Sequence, residues 1–186
     1  NEAQKLLVDA KYEEAATAFD ALGNYKDSDE KADESRNLLV QEKLNEADKL
    51  LEGKKYVEAL DAYVTVSKEV PQVNVDDLLA ETNYRWAIDK KKKKSYYDAA
   101  KLFESIMSYK DSASFYCSSC QNLGDEYLSL GDYDTALKLY GLAKADALVY
   151  QNAYEWFEKR VALAEKACDS IEGLTSNLIV VLRSDG

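Results

Sequence analysis

The side chains that could do covalent or metal chemistry are few. The chain has three cysteines (Cys117, Cys120 and Cys168) and no histidine, which removes the commonest general base and a leading zinc ligand together. Cys117-x-x-Cys120 is the one motif-like cysteine pair. A redox pair of this spacing sits at a helix N-terminus, where the dipole lowers the thiol pKa. Here it falls inside a helical pattern with Cys120 in a core slot, and a zinc site would need four ligands. The pair therefore reads as buried structural thiols. An odd, sparse cysteine set is not a disulfide framework and leaves the compartment open. With no glycine-rich phosphate loop and no nucleophile in a recognisable setting, the sequence offers no catalytic residue, cofactor or metal site.

Charge gives a second class of candidate. Lys90, Lys91, Lys92, Lys93 and Lys94 form an unbroken run on a chain of net charge −11 and pI near 4.6. The run is a candidate electrostatic patch for an acidic partner, lipid headgroups or nucleic acid. It equally suits the end of a helix, where cations complement the dipole by about 0.3–1 kcal/mol each. Nucleic acid is the weakest of these readings, because the surface is acidic and no aromatic residues interleave with the basic ones. No apolar run approaches the ~20 residues of a membrane-spanning helix, so no membrane insertion by this stretch is expected. The opening Asn1-Glu2-Ala3 lies inside a helical pattern and reads as part of a longer protein.

The elements that position these groups follow from a repeat. Four segments start at Tyr12, Tyr56, Tyr96 and Tyr133, with alanine three residues on (Ala15, Ala59, Ala99, Ala136) and an aromatic at seven (Phe19, Tyr63, Phe103, Tyr140). An apolar residue follows at ten: Leu22, Val66, Ile106 and Ala143. Such spacings mark one buried helix face and an all-α fold. The alanine admits a neighbouring helix, and the aromatic fills the space beside it. Longer helices are predicted between these segments, over 29–51, 77 to about 93, and 113–130. Gly23, Gly53 and Gly131 mark helix stops. Tyr25-Lys26-Asp27-Ser28 recurs as Tyr109-Lys110-Asp111-Ser112, with Asp or Ser expected to cap the following helix, and Asp132 reads as another cap. Helix pairs of this kind cannot bury their faces alone and stack into a solenoid.

These residues resemble the tetratricopeptide repeat. The fourth copy carries the likeness best, through Cys120, Leu123-Gly124-x-x-Tyr127, Ala136, Tyr140 and Ala143. The third has Trp86-Ala87 in the leucine-glycine slot, the second Ala47 and Leu50, the first Ala3 and Leu6. Successive starting tyrosines stand 44, 40 and 37 residues apart, against ~34 in the standard repeat. Aspartate (Asp27, Asp111) replaces the family's helix-ending proline, and that element is similar to repeats in proteins of Gram-positive anaerobic bacteria. The resemblance implies a right-handed superhelix of antiparallel helix pairs. Its longer helices would line a groove for a protein or peptide, and the family's groove positions fall on Asn45, Asp48, Tyr84, Arg85, Gln121, Asn122 and Asp125. This mixture lacks the set that clamps a C-terminal carboxylate in some members, so a basic or neutral segment is the expected ligand.

The repeats occupy residues 1–145, and 146–186 read as a further long helix and a capping tail. Within that tail Leu178-Ile179-Val180-Val181-Leu182 is too apolar to stay exposed. It would cover the last repeat or join two copies as a homodimer. The leading expectation is a binding scaffold, and the alternative is a spacer or self-association domain of a larger, membrane-anchored bacterial protein.

Overall fold

The same left-handed turn precedes every starting tyrosine. Ala10, Lys54, Lys94 and Gly131 have φ of 57°, 59°, 61° and 82°, each two places before its tyrosine. Each donates its N–H to a carbonyl three residues back. The next residue reaches five back: Lys11 to Leu6, Lys55 to Leu50 and Ser95 to Lys90 at 2.9 Å, and Asp132 to Tyr127 at 3.0 Å. This paired pattern ends the preceding helix by satisfying its last carbonyls. In the first three copies a side-chain-bearing residue holds the left-handed position, at some conformational cost. The helix stop expected at Gly53 is found there, but the left-handed residue is Lys54, and Gly53 keeps φ −72°.

The computed structural model describes residues 2–23, 25–147 and the isolated positions 162, 163, 165, 166 and 170. Its described residues are all-helical: α1 (Glu2–Val8), α2 (Tyr12–Asp20), α3 (Ser28–Glu52), α4 (Tyr56–Glu69), α5 (Asp76–Lys92), α6 (Tyr96–Glu104), α7 (Ser112–Ser129) and α8 (Tyr133–Ala147). Cys168 and the apolar tail at 174–186 lie outside the described residues. The long helices predicted over 29–51, 77–93 and 113–130 are found within one residue at each end, as α3, α5 and α7.

The chain divides into two compact units, residues 1–82 and 83–186, with the boundary inside α5. In the first, α1 packs on α2, α2 on α3 and α3 on α4. Contacts of α3 with α4 pair Asp48 with Tyr63 and Lys43 with Glu69, so these two helices run antiparallel. Ala3, Ala15, Phe19 and Ala32 form a core there. In the second unit α6 packs on α7 and α7 on α8. Its core joins Ala87, Ala99, Phe103, Tyr116, Cys117, Cys120 and Ala143.

Packing follows the repeat closely. The alanine three places after each tyrosine is fully buried in all four copies, and the aromatics at seven are 0–3% exposed. Sixteen places before each aromatic stands a buried small residue: Ala3, Ala47, Ala87 and Gly124. At Gly124 the reason is direct, since a Cβ there would sit 2.6 Å from Tyr140 Cε1. One expected apolar slot is not filled. Leu22 is 39% exposed because α2 ends at Asp20, leaving it in the turn. Of the tyrosines in repeat positions, Tyr56, Tyr63 and Tyr140 are buried, whereas Tyr12, Tyr96, Tyr127 and Tyr133 are half-buried.

The Tyr-Lys-Asp-Ser element works differently from the expected side-chain cap. Asp27 and Asp111 make no capping bond from their side chains. Their backbones (φ −99°, ψ 23° and φ −90°, ψ 19°) lie in the bridge region, not in the extended conformation that aims a cap at the first amides. The preceding Lys26 and Lys110 are left-handed, with φ of 57° and 45°. Ser28 donates its hydroxyl back to the Tyr25 carbonyl. Its counterpart Ser112 is fully buried, and among the described residues its Oγ has no hydrogen-bond partner. Asp132 does cap, accepting the Thr135 N–H at 3.1 Å.

Two stability outcomes follow, both measurable by urea unfolding. Ser28→Ala should cost about 1 kcal/mol through the lost hydrogen bond, whereas Ser112→Ala should be neutral or stabilising. Lys94→Gly should stabilise by roughly 0.5–1 kcal/mol, the relief of left-handed strain exceeding the entropy glycine adds to the unfolded chain.

Candidate functional site

Helix α3 has 25 residues, most of them polar. Side chains three and four apart line one face of it, and this face bounds two adjoining cavities in the first unit. One, of about 620 Å³, is lined by Glu30, Asp33, Glu34, Asn37, Leu38 and Gln41. The other, of about 370 Å³, is lined by Leu38, Gln41, Glu42, Asn45, Glu46 and Lys49, with Tyr12 of α2 on its edge. Leu38 and Gln41 belong to both, so the two form one trough along the helix. Leu38 is an apolar side chain 36% exposed at its middle.

The carboxylates of this trough are unequally compensated. Asp33 is held by Arg36 at 2.8 Å and Glu34 by Lys31 at 3.1 Å. Arg36 also binds Asp20 of α2, the main cause of its raised pKa. Glu30, Glu42 and Glu46 form no ion pair among the described residues. Glu42 and Glu46, one turn apart, repel each other by about 0.2–0.5 kcal/mol. Asn45 accepts a hydrogen bond from Gln41 Nε2 at 3.1 Å, which fixes both amides in the trough wall.

Of the seven groove residues expected from sequence, Asn45 lies in this trough. Asp48 lies on the same helix and accepts the hydroxyl of buried Tyr63 at 2.5 Å. Asp125 in α7 accepts the hydroxyl of buried Tyr140 at 2.7 Å. Both aspartates thus hold a helix pair together, a role the sequence reading missed. The signal was present: fifteen places before each aromatic stands aspartate where the aromatic is tyrosine, but Gln4 and Ile88 where it is Phe19 and Phe103. A ring without a hydroxyl needs no acceptor.

In the second unit Tyr84 is half-buried. Its ring meets Phe103, Tyr109 and Phe115 edge-on or tilted, at 6.1, 5.9 and 6.2 Å between centroids, with Lys110 Nζ 5.1 Å from its face. Core packing therefore engages Tyr84 as it does the repeat tyrosines. Arg85 is exposed, and Gln121 and Asn122 are half-buried on α7.

The lysine run is divided by the fold. Lys90 pairs with Asp98 at 2.7 Å and Lys93 with Asp89 at 2.8 Å. Lys91 is half-buried, donating to Ser118 Oγ at 2.6 Å with its Nζ 4.7 Å from the Phe115 ring, and burial lowers its pKa. Lys92 and Lys94 are exposed. The run ends α5, with Lys90, Lys91 and Lys92 in its last turn, as the helix-end reading requires. The five ammonium groups therefore do not form a single open patch.

Cys117 and Cys120 are both buried in the core of the second unit. Among the described residues no cluster of three or more acidic or cysteine side chains could hold a metal ion. No described helix is long and apolar enough to cross a membrane. No protein-family model and no curated protein matches the sequence.

Two measurements check these local roles. Tyr63→Phe and Tyr140→Phe should each cost ~1.5–3 kcal/mol by urea unfolding, because the lost bond is to a charged acceptor. Asp98 is held below the usual carboxylate range, first by its hydrogen bond from Lys90 and then by that from Ser95. Its pKa is thus lower folded than unfolded, so this contribution to stability is present above the unfolded value of ~3.9 and is lost as pH falls through the folded value. The stability deficit of Lys90→Met should accordingly shrink as the pH of thermal unfolding is lowered from ~7 to below ~3.9.

Proposed function

We propose that the chain is a tetratricopeptide-like binding scaffold, in which stacked helix pairs form a superhelix and the longer helices line a groove for a segment of another protein. The observation that carries this reading is the trough along α3. It is long, mixed in polarity, centred on a half-exposed leucine, and includes Asn45 at an expected groove position. The fourfold recurrence of turn, alanine and aromatic supports the repeat architecture. In the second unit Lys91 of α5 reaches Ser118 of α7 and Tyr84 meets Phe115, so two successive long helices lie side by side. That adjacency is what a groove built from long helices needs. Rigid packing beneath these faces would present their side chains preorganised, lowering the entropic cost of association.

The proposal separates two classes of substitution. Asn45→Ala and Asn122→Ala should leave the thermal midpoint unchanged and weaken binding of peptides selected from a random library on the whole chain. Phe103→Ala and Tyr140→Ala should cost ~3–5 kcal/mol as core cavities. Equal destabilisation by both classes would show that the groove assignment is wrong.

A further inference from the structure

Resting on the groove reading above, we propose that the α3 trough takes a basic segment of a partner protein, with an apolar side chain on Leu38 and cations on Glu30, Glu42 and Glu46. Among the described residues, Leu38 is the one apolar side chain that lines both cavities. The three glutamates stand eight places before it and four and eight places after it, so they lie about 6 and 12 Å along the helix from the anchor. They are also the trough carboxylates with no cation of their own among the described residues, whereas Asp33 and Glu34 already have Arg36 and Lys31. An incoming ammonium or guanidinium would remove the standing repulsion between Glu42 and Glu46 and meet carboxylates with spare acceptor capacity. An acidic partner would add to that repulsion.

A second copy of this chain is the other occupant with suitable charge, through Lys90–Lys94. The fold weakens that reading, because Lys90 and Lys93 are already on Asp98 and Asp89 and Lys91 is turned against Ser118 and Phe115, which leaves Lys92 and Lys94 of the run for such a contact.

The test uses the whole 186-residue chain and labelled synthetic peptides carrying one leucine flanked on both sides by lysines. Controls replace the lysines by glutamate or the leucine by serine. Binding is followed by fluorescence anisotropy, and its site by hydrogen-exchange protection. The lysine peptide should bind and protect residues 30–49, and its affinity should fall as salt rises from about 50 to about 300 mM. The Glu42→Lys/Glu46→Lys double variant, whose changes are on exposed positions and should leave the thermal midpoint unchanged, should weaken it about tenfold or more. The serine control should also bind less tightly. Equal binding of the lysine and glutamate peptides, or an affinity unmoved in the double variant, would overturn the inference. A neutral or acidic peptide that alone protects 30–49 refutes the basic partner but leaves the groove reading standing. If no peptide of any class protects 30–49, both fail. A dimer in light scattering that the double variant abolishes would replace the partner segment by a second copy.

Discussion

The structure depends on how closely one helix can approach the aromatic ring of the next. Phe19, Tyr63, Phe103 and Tyr140 are almost completely buried. A ring of that size fits only where the facing backbone is nearly bare, and the buried Ala3, Ala47, Ala87 and Gly124 recur at the matching offset. At Gly124 even a methyl group would overlap the Tyr140 ring. Fully buried alanines three places after each starting tyrosine keep the same helices close on another side. Because these contacts are made between helices adjacent in sequence, much of the core is local. Local contacts favour rapid folding and stability that builds up pair by pair.

Two copies add a polar constraint to that steric one. Where the ring is tyrosine, its hydroxyl would be left without a partner in the core, and an aspartate on the preceding helix accepts it. The same positions carry glutamine or isoleucine where the ring is phenylalanine. The bond ties the register of α3 to α4 and of α7 to α8, since only one aspartate placement reaches the hydroxyl. It also gives two of the acidic residues on the long helices a task inside the fold. The rest of the α3 face is acidic around a central leucine.

Charge is arranged with a similar economy. The chain is strongly acidic, and of its five consecutive lysines Lys90 and Lys93 pair with Asp98 and Asp89 and Lys91 lies against Phe115, while Lys92 and Lys94 stay exposed. On α3, Glu30, Glu42 and Glu46 stand without an ion pair among the described residues. On the proposed reading this face favours cationic segments and disfavours phosphate or acidic ligands.

The sequence by itself determined the helical class, the helix boundaries to within a residue or two, and the buried alanine and aromatic slots. Spacings of three, four and seven report directly on which side chains share a helix face. It also marked the helix stops, although it named Gly53 where the backbone turns at Lys54, since a glycine signals tolerance of a left-handed angle without requiring one. It misread Asp27 and Asp111 as side-chain caps, because residue type does not reveal the bridge-region backbone that points their carboxylates away. Only the tertiary structure decided which polar residues are occupied. Asp48, Asp125, Tyr84, Lys90 and Lys91 are engaged by partners eight or more residues away, and a pattern on one helix cannot report what stands opposite it. The trough on α3 is of the same kind. Its residues were legible one by one, but the exposure of Leu38 and which of its carboxylates are ion-paired among the described residues came from the packing around them.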